Sequence, residues 1–477
     1  MFLIFIYLII NIIFNNKTGF SNPVMLTVFS VVYIIIFFLL YKFFITKIKN
    51  KKKLFIISFF VLLIVQLLFG YLFAVRPTWD FGAVNDSVIW DLTNTMKLNN
   101  NNYFYRYNNN IGIFLFLKLF YSFIYLFTSS SFVLKLFGML LNIFLIDVGI
   151  IFLYKIFNLF FNDEEVNLFL LLTLVFTPFI TYVPIFYTDT FSLPFGIMSL
   201  YYYFYYFNSG IKHKRYIIMS GFLLGIGCCL KFSLFIIFIA IIIYNLVREK
   251  FIFKKFIFVV GNILISMIIP IVCLNIYTKV TFDSEWIEKE SFPIWHYFMM
   301  GLKNDGGYNQ EDVDYTSSFN GKDNKKKRDI KVLRERLSNY ISNGELLSFY
   351  TRKAVYTWGD GTFFAHRKLA LEPVFDYKIR EYVIEYNGNN YAYKLLAQVQ
   401  SVLMLIFIVI GIFYRKYLSK KQQDLQILLN IIIFGVFVFF LMWEARSRYI
   451  VNFIPILLLS SYLGIVAIKR RYSYFKL

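Results

Sequence analysis

LFIISFFVLLIVQLLFGYLFAV, Leu54 to Val75, runs directly into RPTWDFGAVNDSVIWD, Arg76 to Asp91. The first stretch meets the requirement for crossing a bilayer, about 20 mainly apolar residues. The second gathers three carboxylates, Asp80, Asp86 and Asp91, where the helix leaves the membrane. The whole chain agrees with that reading, because 59% hydrophobic and 22% aromatic residues in 477 are more apolar surface than a globular interior hides from water. An all-α, multi-pass membrane protein is expected.

The formal charge of +21 does not point to nucleic acid, since the basic residues form short clusters between apolar runs. That is how a membrane protein marks its cytoplasmic side. Cys228, Cys229 and Cys273 all fall inside apolar runs, as small buried hydrophobes do. The N-terminal MFLIFIYLIINIIF lacks a basic leader and a small-residue cleavage site, so a retained, short span is expected there.

Twelve apolar runs are long enough to consider as spans: 2–14, 24–46, 54–75, 132–159, 166–185, 190–207, 216–230, 232–247, 256–277, 395–414, 425–443 and 447–468. The basic connections are Lys47–Lys53, Lys212–Arg215, Arg248–Lys255, Arg415–Lys421 and the C-terminal KRRYSYFK. Placing all of them in the cytoplasm satisfies the positive-inside rule. Loop 76–110 then lies outside, and an odd number of spans must separate it from Lys212–Arg215. Four runs are available, so one does not cross. IGIFLFLKLFYSFIYLF at 111–127 is the shortest and carries Lys118 mid-run, and is expected to lie in the outer interface. The acidic NDEE at 162–165 then faces the cytoplasm.

Three segments meet on the outer face: loop 76–110, the turn YTD at 187–189 and the polar stretch 278–394. Within the last, Ile330, Leu333, Leu337, Tyr340 and Ile341 fall at helical spacing, so an amphipathic helix is expected over 325–350. GDG at 359–361 and NGNN at 387–390 are expected turns. The domain organisation expected is two additional N-terminal helices (1–53), a membrane module (54–277) with outer loop 76–131, a mixed extracytoplasmic segment (278–394) and C-terminal helices (395–477).

Asp80 stands close to the end of its span and is the candidate general base. Asp86 or Asn85 fits the cap of a helix beginning at NDSV, and Asp189 fits a cap before 190–207. WEARSRY places Glu444, Arg446 and Arg448 at the last inter-span junction. Charges at membrane depth tend to face a cavity or a phosphate, and the guanidinium fork matches a phosphate's two oxygens. Asp147, mid-span, is expected to pair with a neighbouring lysine or hydroxyl. His296 and His366 are far apart, and no Cys/His cluster has zinc spacing. Walker A, G-x-G-x-x-G and serine-elbow motifs are lacking, which leaves cytosolic nucleotide chemistry without a visible motif.

The order of these segments resembles the GT-C glycosyltransferases, and most closely the bacterial branch similar to protein O-mannosyltransferases and lipid A aminoarabinose transferases. The matching segments are WDFGAV (79–84), YFYRYNNNIG (103–112), YTDT (187–190), GIGCCLKFS (225–233), FPIWHYFMMGLKNDGGYNQEDVDYT (292–316) and EARSRYIVNFIP (444–455). They cover the chain from about 54 onward. The family pattern commonly has a proline where this chain has Asn108. The resemblance implies a polytopic GT-C-type bundle with an interfacial helix in its first outer loop. It also implies a sugar donor on a polyprenyl phosphate and a hydroxyl acceptor of the cell envelope. Asp80 would be the base and the reaction inverting. By the same resemblance Asp86, Arg106, Lys135, Tyr187, Asp189, Lys231, His296, Glu444, Arg446 and Arg448 would bind substrate, with Lys231, Arg446, Arg448 and Lys135 gripping the leaving phosphate. No metal or other cofactor is expected. A polysaccharide or lipid transporter and a non-catalytic envelope scaffold are the alternatives.

Overall fold

A computed structural model describes residues 1–45, 50–95, 102–210, 213–247, 252–385 and 388–474. The turn position Asn387 and the basic stretches at 47–49, 212 and 248–251 lie outside them. The described residues are helical, with one isolated bridge, Val75 to Pro373, and no strand.

The chain opens with α1 (Phe2–Phe14), α2 (Pro23–Leu40) and α3 (Lys51–Leu72). Then come α4 (Trp79–Leu92), α5 (Asn102–Arg106), α6 (Ile111–Tyr125), α7 (Ser131–Phe160) and α8 (Asp163–Val175). Short α9 (Pro178–Thr181) and α10 (Thr188–Phe191) lead to α11 (Leu193–Asn208), α12 (Lys214–Leu230), α13 (Phe235–Val247) and α14 (Phe253–Thr281). The segment expected to be mixed is helical: α15 (Ser284–Glu290), α16 (Ile294–Met300), α17 (Gln310–Ser317), α18 (Lys322–Ser342), α19 (Leu346–Trp358) and α20 (Ala365–Lys368). Last are α21 (Tyr391–Phe413), α22 (Lys420–Met442) and α23 (Ile454–Tyr474).

Seven helices among the described residues are long and apolar enough to cross a membrane, and Phe2–Phe14 and Phe232–Val247 are shorter apolar helices. The span Ser447–Tyr472 is 94% buried inside the protein, whereas the α2 span is 11% buried. α23 is therefore the hub and α2 faces outward. Close backbone approach explains how the hub packs: a side chain at Gly464 would run into the Phe407 carbonyl and Gly411 of α21. Gly221 and Gly225, four apart on α12, meet Ile263 and Met267 of α14 in the same way, a small-residue contact common between membrane helices.

Ion pairs fix which segments share an end. Lys469 bonds Glu164 at 2.7 Å, and Arg470 bonds Glu165 at 2.9 Å and Gln422 at 2.7 Å. The NDEE turn, the start of α22 and the basic C-terminus thus sit together. At the opposite end, Asn16 donates to the Gly359 carbonyl at 2.6 Å. There Arg76 N–H also donates to the Glu372 carbonyl at 2.8 Å and Arg380 reaches the Leu72 and Leu369 carbonyls. The α1–α2 turn, the α3–α4 connection and the 359–380 segment therefore share the other end.

Several expectations change. The run 166–185 is not one helix: α8 stops at Val175, because Pro178 supplies no amide hydrogen and cannot continue the ladder. The freed backbone groups find buried side chains. Gln400 accepts from Thr177 N–H at 3.0 Å and donates to the Val175 carbonyl at 2.7 Å; Gln66 takes the Phe179 carbonyl at 3.0 Å and Asn142 the Tyr182 and Val183 carbonyls at 2.9 Å. Irregular backbone at this depth persists because protein, not lipid, surrounds it. The helix in loop 76–110 starts at Trp79 rather than at NDSV, so Asp86 is no cap, and Asp189 lies inside α10 rather than capping it. The amphipathic helix ends at Ser342, with Gly344 at φ +69° turning the chain into α19. Asp147 is buried beside an amide, Gln66, not a lysine or hydroxyl.

α6 is short, with one face buried and the other open. Its 15 residues reach only roughly 22 Å, short of a hydrocarbon core of about 30 Å. Phe114, Leu117 and Tyr121 are buried while Leu119, Phe123 and Leu126 are exposed, and Lys118 bonds Asp91 at 2.6 Å.

Candidate functional site

RPTWDFG makes a tight entry into α4. Thr78 is extended, Trp79 is held in the left-handed region at φ 48°, and a side chain at Gly82 would press on the Pro77 carbonyl. Left-handed backbone at a bulky residue is strained and persists only where the surroundings over-determine it. Here the indole is fixed by cations: Lys368 Nζ lies 3.8 Å and the Arg448 guanidinium carbon 4.3 Å from its ring centre. Tyr187 meets it edge-on at 5.1 Å.

The next residue, Asp80, is half-buried and accepts a hydrogen bond from Tyr103 Oη at 3.0 Å. Asn110 donates to that same Tyr103 oxygen at 2.6 Å and accepts from Tyr187 Oη at 3.0 Å. The chain Asp80–Tyr103–Asn110–Tyr187 joins α4, α5, the turn before α6 and the turn before α10. It orients the carboxylate, which forms no ion pair among the described residues although Lys368 and Arg448 act on it from farther off.

Across Trp79 stands the junction 444–449. Glu444 is buried, accepts from Tyr449 Oη at 2.8 Å, and its amide donates to the Tyr297 carbonyl at 3.0 Å. Burial pushes its carboxyl above the ordinary range, while Arg446 and Arg448 nearby pull the other way. Arg448 is 7% exposed, packed against Trp79, Tyr187 and Tyr449, and its Nε and Nη1 have no hydrogen-bond partner. Arg446 stacks on Phe364 at 5.1 Å and leaves its Nε unpartnered. Buried guanidinium N–H groups lacking acceptors are costly, and an acceptor, most strongly an anion, satisfies them.

A family model described as "Conserved hypothetical integral membrane protein" (CHIM_prot) matches residues 2–467. The chain belongs to this family. No curated protein and no solved structure matches it. The match to the conserved hypothetical integral membrane proteins includes α1 and α2, and the bond from Asn16 to Gly359 ties their turn to the site-bearing end.

In this CHIM_prot member the sequence-derived residues divide into two groups. Asp80, Tyr187, Asp189, Lys231, Glu444, Arg446 and Arg448 converge around Trp79 and Tyr449. Asp189 is buried and ion-paired to Lys231, whose ammonium also lies 5.1 Å from the Tyr449 ring, so this lysine arrives already neutralised. Asp86 and Lys135 instead bond each other at 2.9 Å, and Asp86 lies roughly 9 Å along α4 from Asp80. Arg106 stacks on Phe292 at 5.7 Å. His296 is fully buried in a separate chain, with Nδ1 2.8 Å from Thr316 Oγ1, which donates to Asp329 at 2.9 Å. Among the described residues no three His, Cys, Asp or Glu side chains cluster as metal ligands would.

Two residues escaped the sequence reading. Asp360, the centre of GDG, is a buried carboxylate accepting from Thr362 N–H and Oγ1, Phe364 N–H and Ser447 Oγ at 2.6–3.1 Å. It holds Phe363 and Phe364 at φ 52° and 69° and ties their turn to the residue between the two arginines. That turn presents Lys368, the other missed residue. Nothing in AHRKLALEP marks this lysine apart from its neighbours; only the aromatic pair Phe363–Phe364 upstream hints at a buried turn.

Proposed function

We propose that this protein is a membrane glycosyltransferase that moves a sugar from a polyprenyl-phosphate donor to a hydroxyl acceptor of the cell envelope, on the extracytoplasmic side of the cell membrane. One observation carries the reading. A carboxylate that forms no ion pair among the described residues, Asp80, adjoins Trp79, against which a buried guanidinium with unsatisfied N–H groups is packed.

The residues divide the work. Asp80 takes the proton as the acceptor oxygen bonds to the anomeric carbon. The bond from that carbon to the phosphate oxygen breaks, and its electron pair stays on the phosphate. A single displacement inverts the carbon. Arg446 and Arg448 meet the charge that grows on the departing phosphate, in a site where burial makes such contacts strong. Asp189 neutralises Lys231 and so fixes the wall of the site, a positioning role. Hydrogen bonding through Tyr103 and Asn110 aims the Asp80 carboxylate at the acceptor.

The test is transfer itself. Purified protein in lipid nanodiscs, given polyprenyl-phosphate-linked sugars and envelope extract, is expected to release polyprenyl monophosphate in step with glycosylated product. Release of neither from any such donor would overturn the proposal.

A further inference from the structure

Lys368 has no ion-pair partner among the described residues, yet two guanidinium groups stand near it. The charged groups facing it are Arg446 and Arg448 from the 444–449 junction, Asp80 at the start of α4 and Asp189 in α10. Its ammonium lies over Trp79 at 3.8 Å, against the same indole that Arg448 packs on, and 5.8 Å from Phe364. Lys368 and Arg448 share the Trp79 ring while Arg446 stands on Phe364, and the three cations repel one another, a push that Asp80 and Asp189 offset only in part and that a further anion relieves. Burial and the two guanidinium groups together push the Lys368 ammonium down to about 7. A phosphate beside it reverses that push.

The donor and the leaving group differ in charge. A sugar joined to a prenyl phosphate is a phosphodiester with one negative charge. Once the anomeric C–O bond breaks, the phosphate is a monoester carrying about −1.5 to −2 near neutral pH. Two arginines suffice for the first. A third cation finds its counterpart only in the second.

Resting on the lipid-phosphate reading above, we propose that Lys368 is the residue by which the site distinguishes a prenyl monoester phosphate from a prenyl diester, holding the leaving group more tightly than the donor. Such differential binding lowers the barrier, because only interactions stronger in the transition state than in the ground state accelerate a reaction. The lysine draws its proton from solvent as the anion binds, so monoester binding consumes protons.

Calorimetry on the full-length protein in detergent, with geranyl phosphate as monoester and geranyl methyl phosphate as diester, tests this in two buffers of different ionisation enthalpy at pH 7.5. Wild type is expected to prefer the monoester by about ten-fold or more and to take up protons on binding it. Lys368→Met should lose both the preference and the uptake while weakening diester binding far less. Lys368→Arg should restore the preference without the uptake. A Lys368→Met protein that keeps the ten-fold preference overturns the inference and leaves the lipid-phosphate reading standing. Wild type that binds neither ester overturns both.

Discussion

The Arg448 guanidinium packs 4.3 Å from the ring centre of Trp79, the residue that precedes Asp80. Two segments from opposite ends of the chain thus share one aromatic plate, with the candidate base beside it and the candidate anion grip against it. Arg448→Ala is expected to lower kcat by about 10²–10³-fold, the effect of removing one transition-state charge partner. Arg448→Lys should recover only part of that, since an ammonium keeps the charge but loses the planar fork and the stacking. Steady-state rates of sugar transfer check both. Equal activity of the two variants would mean that charge alone matters there.

Asp189 and Lys231 form a buried ion pair, so removing one partner leaves the other uncompensated. Asp189→Asn or Lys231→Met alone is expected to cost roughly 3–5 kcal/mol of stability, and the double variant clearly less than the two single losses combined. Thermal unfolding in nanodiscs, read by intrinsic tryptophan fluorescence, measures this. Additive losses would show that the two side chains act independently.

His296 is pushed down to about 4 by burial, opposed by Asp312 and reinforced by Lys325. Its ordinary value in an unfolded chain is near 6.5. Between those values the unfolded chain binds a proton that the folded protein refuses, so stability falls as pH falls through that window and is full above it. The contribution at stake is roughly 3 kcal/mol. The stability of wild type relative to His296→Gln should therefore decline from pH 6.5 towards 4, as followed by thermal melts. A difference constant across that range would contradict a buried neutral imidazole.

How much of this was legible in the sequence follows from where each signal resides. Apolar length and basic clusters report on the bilayer, so α3, α7 and α14 could be anticipated from one dimension. The break after Val175 could not, because its stability depends on Gln400, Gln66 and Asn142, polar residues that stand in other helices. Asp80, Arg446 and Arg448 announced themselves as charges beside spans. Lys368 and Asp360 did not, since a loop lysine and a GDG turn are common, and only the turn that Asp360 builds against Ser447 brings Lys368 to Trp79. The pairing of Asp86 with Lys135, both expected to bind substrate, illustrates the converse: neighbouring helices satisfied two charges that sequence position alone could not pair.

The most direct measurement is transfer by the Asp80→Asn protein under single-turnover conditions, alongside donor binding by the same protein. The asparagine is close in size to the aspartate, and Tyr103 can still donate to its side-chain oxygen, so donor affinity is expected to stay within about three-fold of wild type while transfer falls by about 10²–10⁴-fold, the range of a lost general base. An Asp80→Asn protein that transfers sugar at the wild-type rate would contradict the account.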